Sequence, residues 1–437
     1  MEHNASAEFW KFVFIRSILS VHARTTNFES GFIMISIDEA LEILLKNIPE
    51  RKTERMPFHR SLGRVLAENF VATSDIPPFN RATMDGFAVR AADVKNTPVE
   101  LTIGGEARAG GGIPESLKPK ETVAIMTGAP VPDGADAVQI LEVCAVTPCE
   151  SKVTVLEPVE PGDNIAPKGR EAMSGDVVIK AGRVAGPAEI ALLATFGYAE
   201  VSVYARPTVA ILTTGDELVE FNETPRPDQI RNSNTHCLTA QLRLLGIEAD
   251  YLGIARDDKK DLRKKLLAGL ERDVLIVTGG VSMGEYDFVR DVFEETDVEI
   301  LFNKVAIKPG KPTVFARKGN KLIFGLPGNP LSSMITFECF VRPVLGRMCG
   351  MKQPELKRVH GVLAEDVRQT PGRTAFLPAR VDWTQNGWTV RPISWKNSAD
   401  MIGFSKANAT LIFPGARNLL PCGEIVEVML LPDFFTR

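Results

Sequence analysis

The chain has 437 residues, 24% of them charged and 44% hydrophobic, the composition of a folded globular protein and not of a disordered or fibrous one. At roughly 150 residues per domain this length calls for about three domains, because a single core stops growing near ~250–300 residues. Lys and Arg number 51 against 55 Asp and Glu, a formal charge of −4, and aromatic residues make up 7%, so neither a broad basic face nor a base-stacking platform for nucleic acid is expected.

Residues 1–33 read as an extension outside the fold. The apolar stretch from Phe9 to Val21 is broken by Lys11 and Arg16, and no run approaches the ~20 residues that cross a bilayer. No membrane partner and no secretory signal are expected. Lys11, Arg16 and Arg24 would suit a transit peptide, but Glu2, Glu8 and Glu29 would not. The six cysteines include no C-x-x-C pair and the five histidines no H-E-x-x-H, which leaves a zinc site unsupported. Scattered thiols fit a reducing, cytoplasmic compartment. A metal, if used, would be held by carboxylates, which favours Mg2+.

Ser36 and Glu39 form an S-x-x-E capping box ahead of Ile37, Leu41, Leu44, Leu45 and Ile48, a helix that runs to about Asn47. From Ser74 to about Pro158, short apolar runs alternate with Gly and Pro turns, which predicts a β-rich domain over 74–158. Residues 159–205 carry a strand from Val177 to Lys180 and a helix opened by Pro187 and closed by Gly197. With 34–73 they form one split domain around the β-rich insert. Over 206–350, strands at Val209–Thr213, Glu248–Ile254, Val274–Thr278 and Lys321–Phe324 alternate with helices at Leu238–Leu245, at Asp258–Leu270 and from Leu331. That alternation predicts a parallel α/β sheet with helices on both faces. Residues 351–437 return to short strands, including Thr389–Ile393 and Ile425–Leu430, and read as a small β-barrel.

Ligands of an open α/β sheet bind beyond the carboxyl ends of its strands. Three strands here run into glycine-bearing loops: Thr214 to Leu218, Gly279 to Gly284 and Gly325 to Pro330. Together they define one crevice, and glycine amides with helix N-termini suit a phosphate-bearing ligand. The common phosphate motifs fail. Gly310-Lys311 has valine at 305 and Pro312 where a P-loop needs Ser or Thr, and Gly279-Gly280-Val281 breaks G-x-G-x-x-G. Asp216, Glu217, Asp257, Asp258 and Asp287 are the carboxylates for a hard cation, although Asp257 or Asp258 serves equally as a helix N-cap. Lys308 and Lys311 flank a Pro-Gly turn that suits an oxyanion, or only a solvated turn. Ser282, Ser332 and Ser333 have no nearby His, so a serine hydrolase is not supported.

Taken together the segments resemble the molybdopterin molybdenumtransferase family, which includes the E domain of gephyrin. The resemblance rests on Pro77-Pro78-Phe79, Ala82 to Gly86, Ile125 to Pro132, Thr214 to Leu218, Gly279 to Gly284, Ala306 to Pro312 and Gly325 to Pro330, in the family's order from Met34 to the C-terminus. It implies an elongated homodimer with four domains per subunit, and insertion of molybdate into adenylylated molybdopterin with Mg2+ and release of AMP. Glu217, Asp257 or Asp258, and Asp287 would organise Mg2+ and the adenylate phosphates, and Lys308 and Lys311 would hold molybdate or the terminal phosphate. Gly215, Asp216, Gly279, Gly280, Ser282 and Gly284, with Gly325, Pro327, Gly328, Asn329 and Pro330, would cradle the pterin and its phosphate. Ser398 is the polar contact expected from the C-terminal domain. Asp85 and Thr127 would reach the site from the other subunit, although alone each reads as a cap or turn residue.

One stretch departs from the pattern. Ala166-Pro167-Lys168-Gly169-Arg170-Glu171 stands where family members carry arginines and a Gly-x-Asp, and Lys and Arg grip oxyanions differently. Rival readings are a molybdopterin adenylyltransferase or nucleotide pyrophosphatase on the same α/β module, and a non-enzymatic scaffold. The β-rich insert and the barrel argue against the first, and the lack of a linker or low-complexity arm against the second. An upstream adenylyltransferase is the expected protein partner besides a second copy.

Overall fold

The computed structural model describes residues 33–147, 151–256, 258–280, 292–293, 295–385, 387–432 and 434. The expected extension therefore lies almost wholly outside them, as do Asp257, Ser282, Gly284 and Asp287.

The Ser36 hydroxyl accepts from the Glu39 N–H (3.1 Å) while the Glu39 carboxylate accepts from the Ser36 N–H (2.8 Å), so the capping box is closed and starts the helix Ile37–Lys46. Its buried residues, Ala40 and Leu44, share a core with Val209, Ile211, Val274 and Phe324. The helix thus packs on the α/β region, while strand Thr53–Pro57 pairs antiparallel with Glu200–Tyr204. Helix Pro187–Thr195 covers that second unit, where Leu66, Phe70, Leu193, Val201 and Val203 form a separate core.

The β-rich region is one six-stranded sheet in the order Ala137–Ile140, Gly86–Val89, Glu121–Ile125, Val99–Ala107, Lys152–Val155, Cys144–Thr147. The α/β sheet also has six strands: Ala249–Ala255, Val209–Thr214, Val274–Thr278, Lys321–Leu326, Val314–Lys318 and Glu299–Phe302. The first four are parallel, as the alternation of strands and helices requires. The last two extend one edge, each antiparallel to the strand before it in this order, an addition the sequence pattern did not disclose. All residues of Val209–Thr214 and Val274–Thr278 are buried, which is what helices on both faces impose. Each Val, Leu or Ile so buried contributes about 1.5–3 kcal/mol.

The C-terminal strands Thr374–Thr384, Gly387–Pro392, Arg358–Leu363, Ile425–Leu430 and Ala409–Phe413 close into a ring, because Thr374–Thr384 pairs with both Gly387–Pro392 and Ala409–Phe413. This is the small barrel, filled by Leu377, Val381, Val390, Leu411 and Val428. The two-residue strand Ile307–Lys308 adds to the same sheet, in parallel with Thr374 and Ala375. Among the described residues no helix is long and apolar enough to cross a membrane.

Candidate ligand crevice

Val209–Thr214, Val274–Thr278 and Lys321–Leu326 are consecutive parallel neighbours, so their carboxyl-end loops open on the same side. The loops touch. Gly279 has φ +82°, and a Cβ there would overlap the Thr214 carbonyl oxygen. Gly328 lies so near that its Cβ would stand 3.5 Å from the Gly279 Cα, and the Gly279 N–H donates to the Leu326 carbonyl (3.2 Å). At Gly279 only glycine allows this approach, whereas a Cβ on Gly328 would meet its neighbour at ordinary contact distance.

Behind the loops stands a polar wall that the sequence analysis missed. Asn234 opens helix Asn234–Leu244 and donates both amide hydrogens, to Thr278 Oγ1 (2.9 Å) and to the Gly328 carbonyl (2.8 Å). A carbonyl only accepts, so this bond fixes the orientation of the amide. Among the described residues Asn234 Oδ1 is then left buried without a partner, as is the Thr214 hydroxyl. Beside them the Thr213 and Thr235 hydroxyls are 2.7 Å apart, and Asn232 donates to Thr235 Oγ1 and to the Tyr251 hydroxyl, each at 2.9 Å. Tyr251 in turn donates to Glu220 (2.8 Å). Burial first, and the Glu220 carboxylate after it, lift the Tyr251 phenol above its ordinary range. Polar residues at the start of a helix carry no apolar period, so only the strand-end rule hinted that this helix mattered.

The expected carboxylates divide. Glu217 folds back over Gly215, where a Cβ would overlap its carboxylate, and Arg256 braces the same turn by donating to the carbonyls of Asp216 (3.2 Å) and Leu218 (3.0 Å). Asp258 caps helix Lys259–Gly269, accepting from the N–H groups of Lys260 (3.4 Å) and Asp261 (3.1 Å). Among the described residues no group of three His, Cys, Asp or Glu side chains could hold a metal ion. Nor does a reactive thiol appear on the crevice helix, since burial pushes Cys237 up to about 11.

The lysine turn joins the crevice to the barrel. Lys308 Nζ donates to Gln369 Oε1 (2.8 Å), a partner the sequence did not suggest. Gly310, at φ +120°, packs against the Thr336 methyl so tightly that a Cβ would overlap it. The turn is thereby seated on helix Pro330–Thr336, which follows the Gly325 to Pro330 loop. From the barrel side, Ser398 accepts on its hydroxyl from Asn329 Nδ2 (3.0 Å) and on its carbonyl from the Leu331 N–H (3.2 Å).

Asp85 and Thr127 meet in the β-rich sheet, not in the crevice. Asp85 Oδ1 accepts from both the backbone N–H (2.6 Å) and the hydroxyl (2.8 Å) of Thr127. The backbone bond chiefly, and then the hydroxyl, hold the exposed Asp85 carboxyl below the usual range. In the departing stretch, Lys168 pairs with Asp75 (3.3 Å) and Glu171 with Arg81 (3.4 Å), so two of its charged groups have neighbours within the chain.

An α/β sheet with glycine loops at one crevice, joined to a β-rich sheet and a closed barrel, marks a multidomain protein of the molybdopterin-binding class. Family models agree along the chain: the MoeA N-terminal region (domain I and II) matches residues 35–197, the probable molybdopterin binding domain 210–347, and the MoeA C-terminal region (domain IV) 360–431. A molybdopterin molybdenumtransferase of Staphylococcus aureus is 35% identical over 401 residues, spanning 91% of this chain and 95% of that protein. The Staphylococcus epidermidis counterpart is 34% identical over 403 residues, with the same coverage of both chains. Two structures of the molybdopterin biosynthesis MoeA protein of Pyrococcus horikoshii align with TM-scores of 0.79 and 0.77, at 32% and 31% identity, over 91% of this chain and 99% and 100% of theirs. The chain belongs to the molybdopterin molybdenumtransferase family, and it is an enzyme of molybdenum cofactor biosynthesis.

Proposed function

We propose that this chain inserts molybdate into adenylylated molybdopterin with release of AMP, in a Mg2+-dependent reaction carried out by a cytoplasmic homodimer. The observation that carries the reading is the convergence of Thr214, Gly279 and Gly328 beneath Asn234. It sets close-packed glycine backbone and a polar side-chain wall at the carboxyl ends of the strands, where an open α/β sheet takes a phosphate-rich ligand. Lys308, held by Gln369, and Lys311 present positive charge to molybdate or the terminal phosphate. Their work is positioning and charge neutralisation.

Mg2+ keeps several waters and takes one or two carboxylates together with substrate phosphates. Glu217 is the described carboxylate that fits, while Asp258 is engaged with helix amides. Among the described residues the donor set suits Mg2+ arriving with the adenylate. Bound there, Mg2+ would offset the charge of the phosphates. Asp85 and Thr127 complete the partner's crevice, and an upstream adenylyltransferase supplies the substrate. Release of AMP from adenylylated molybdopterin, followed with and without molybdate and with tungstate in its place, tests the reading. Molybdate-dependent release is expected, whereas tight binding of the adenylate without release would indicate a carrier.

A further inference from the structure

The opposite end of the α/β sheet carries a second cavity, of about 400 Å³, where residues 49–52 and 205–207 cross between the small sheet of Thr53–Pro57 with Glu200–Tyr204 and the α/β domain. Asp273 and Lys321, at the amino ends of their strands, close it, so it faces away from the glycine loops. The Ala205 N–H donates to the Lys52 carbonyl (2.9 Å) and ties the two crossings together.

Four cationic side chains, Arg51, Lys52, Arg206 and Lys321, line this cavity against two carboxylates, Glu50 and Asp273. Asp273 is already saturated. It accepts from the N–H and the hydroxyl of Thr208, each at 2.9 Å, and its Oδ1 faces both Lys52 (3.1 Å) and Lys321 (3.7 Å). Arg51 lies over the Tyr204 ring, 4.6 Å from its centre, a contact that leaves the edge of the guanidinium fork open. Among the described residues Arg206 has no carboxylate partner, and burial, followed by the nearby Arg64, lowers its pKa. The Arg206 guanidinium lies over Gly246, where a Cβ would overlap it. Two arginines and two lysines thus line a space within the ~300–1,000 Å³ typical of small-ligand sites, and forked arginine donors match phosphate oxygens.

We infer that this cavity is an anion site for a small ligand carrying a diphosphate group, which bridges the two crossings at a place distinct from the crevice. Calorimetric titration of the full chain with inorganic pyrophosphate at low ionic strength tests it, since screening weakens such contacts. Because the crevice also suits phosphate, Arg51→Ala/Arg206→Gln is compared with Lys308→Ala/Lys311→Ala. The expected result is saturable one-to-one binding by the wild type and the lysine variant, weakened at least tenfold in the arginine variant, whose AMP release stays at the wild-type rate. Binding unchanged in the arginine variant, binding lost only in the lysine variant, or no saturable binding at all would overturn the inference. If Arg206→Gln lowers the unfolding midpoint, Arg51→Ala/Lys321→Ala is read by the same criteria. Competition by ADP in the lysine variant supports a site for an esterified diphosphate, and its failure one for free pyrophosphate.

Discussion

The crevice and the Asp85–Thr127 corner handle polar groups in opposite ways. In the crevice the polar atoms are buried, and among the described residues Asn234 Oδ1 and the Thr214 hydroxyl have no partner. In the corner the groups are exposed and satisfy each other, Thr127 donating twice to Asp85. Leaving a buried acceptor unpaired costs about 1–3 kcal/mol, whereas an exposed pair is nearly neutral for folding. On the proposed reading the crevice is where the ligand would bind, while the corner, already paired within itself, would act on a group brought to it. Substitutions in the first should disturb both stability and activity, and those in the second activity alone.

The largest expected effect comes from Gly279→Ala. Left-handed backbone costs a non-glycine residue about 1–3 kcal/mol, and the added methyl meets the Thr214 carbonyl, so both the denaturant midpoint and AMP release should fall, the latter below detection. Retained activity would show that the loops need not touch. Glu217→Ala should lower AMP release roughly 10²-fold, the scale of one lost electrostatic group, and raise the Mg2+ needed for half-maximal rate. Full activity would remove Glu217 from the site. Asp85→Asn should lower the rate roughly tenfold with an unchanged unfolding midpoint, because the residue is exposed. Refolded together, the Asp85→Asn and Glu217→Ala chains should regain about a quarter of wild-type activity if each crevice draws on the other subunit. No recovery would confine the corner to its own chain. Gln369→Ala should raise the molybdate concentration for half-maximal rate about fivefold, the worth of one hydrogen bond, with kcat nearly kept.

The smallest effect is on titration. Asp85 is depressed below its ordinary 3.8, so its bond with Thr127 persists above that value and is lost only as the pH falls through the lower folded value. Thr127→Val should move the midpoint, followed by carboxyl NMR, part of the way back, because the larger backbone contribution remains. A midpoint that does not move would remove the hydroxyl from this interaction.

Much of the frame was legible because burial on both faces writes itself as continuous apolar runs, as in Val209–Thr214 and Val274–Thr278. Ser36 with Glu39, and Pro187 at a helix start, signalled their helices by local chemistry. Helix Asn234–Leu244 was expected only from Leu238, since Asn234 to Cys237 form a polar first turn with no apolar period, and that turn supplies the crevice wall. The antiparallel edge of Val314–Lys318 and Glu299–Phe302 escaped notice because short strands broken by Arg317 and Lys318 resemble loops. Gln369 escaped for another reason: its bond to Lys308 depends on a barrel docking 61 residues downstream, which no local pattern encodes.

The strand Ile307–Lys308 belongs by sequence to the α/β domain but by hydrogen bonding to the barrel, lying alongside Thr374 and Ala375. The two units are for this reason poor candidates for separation or exchange. A chain cut after residue 350 would keep its glycine loops and lose the backbone rail and the Gln369 amide that aim Lys308. A barrel grafted from a relative would reset the reach of that lysine without altering one residue of the crevice.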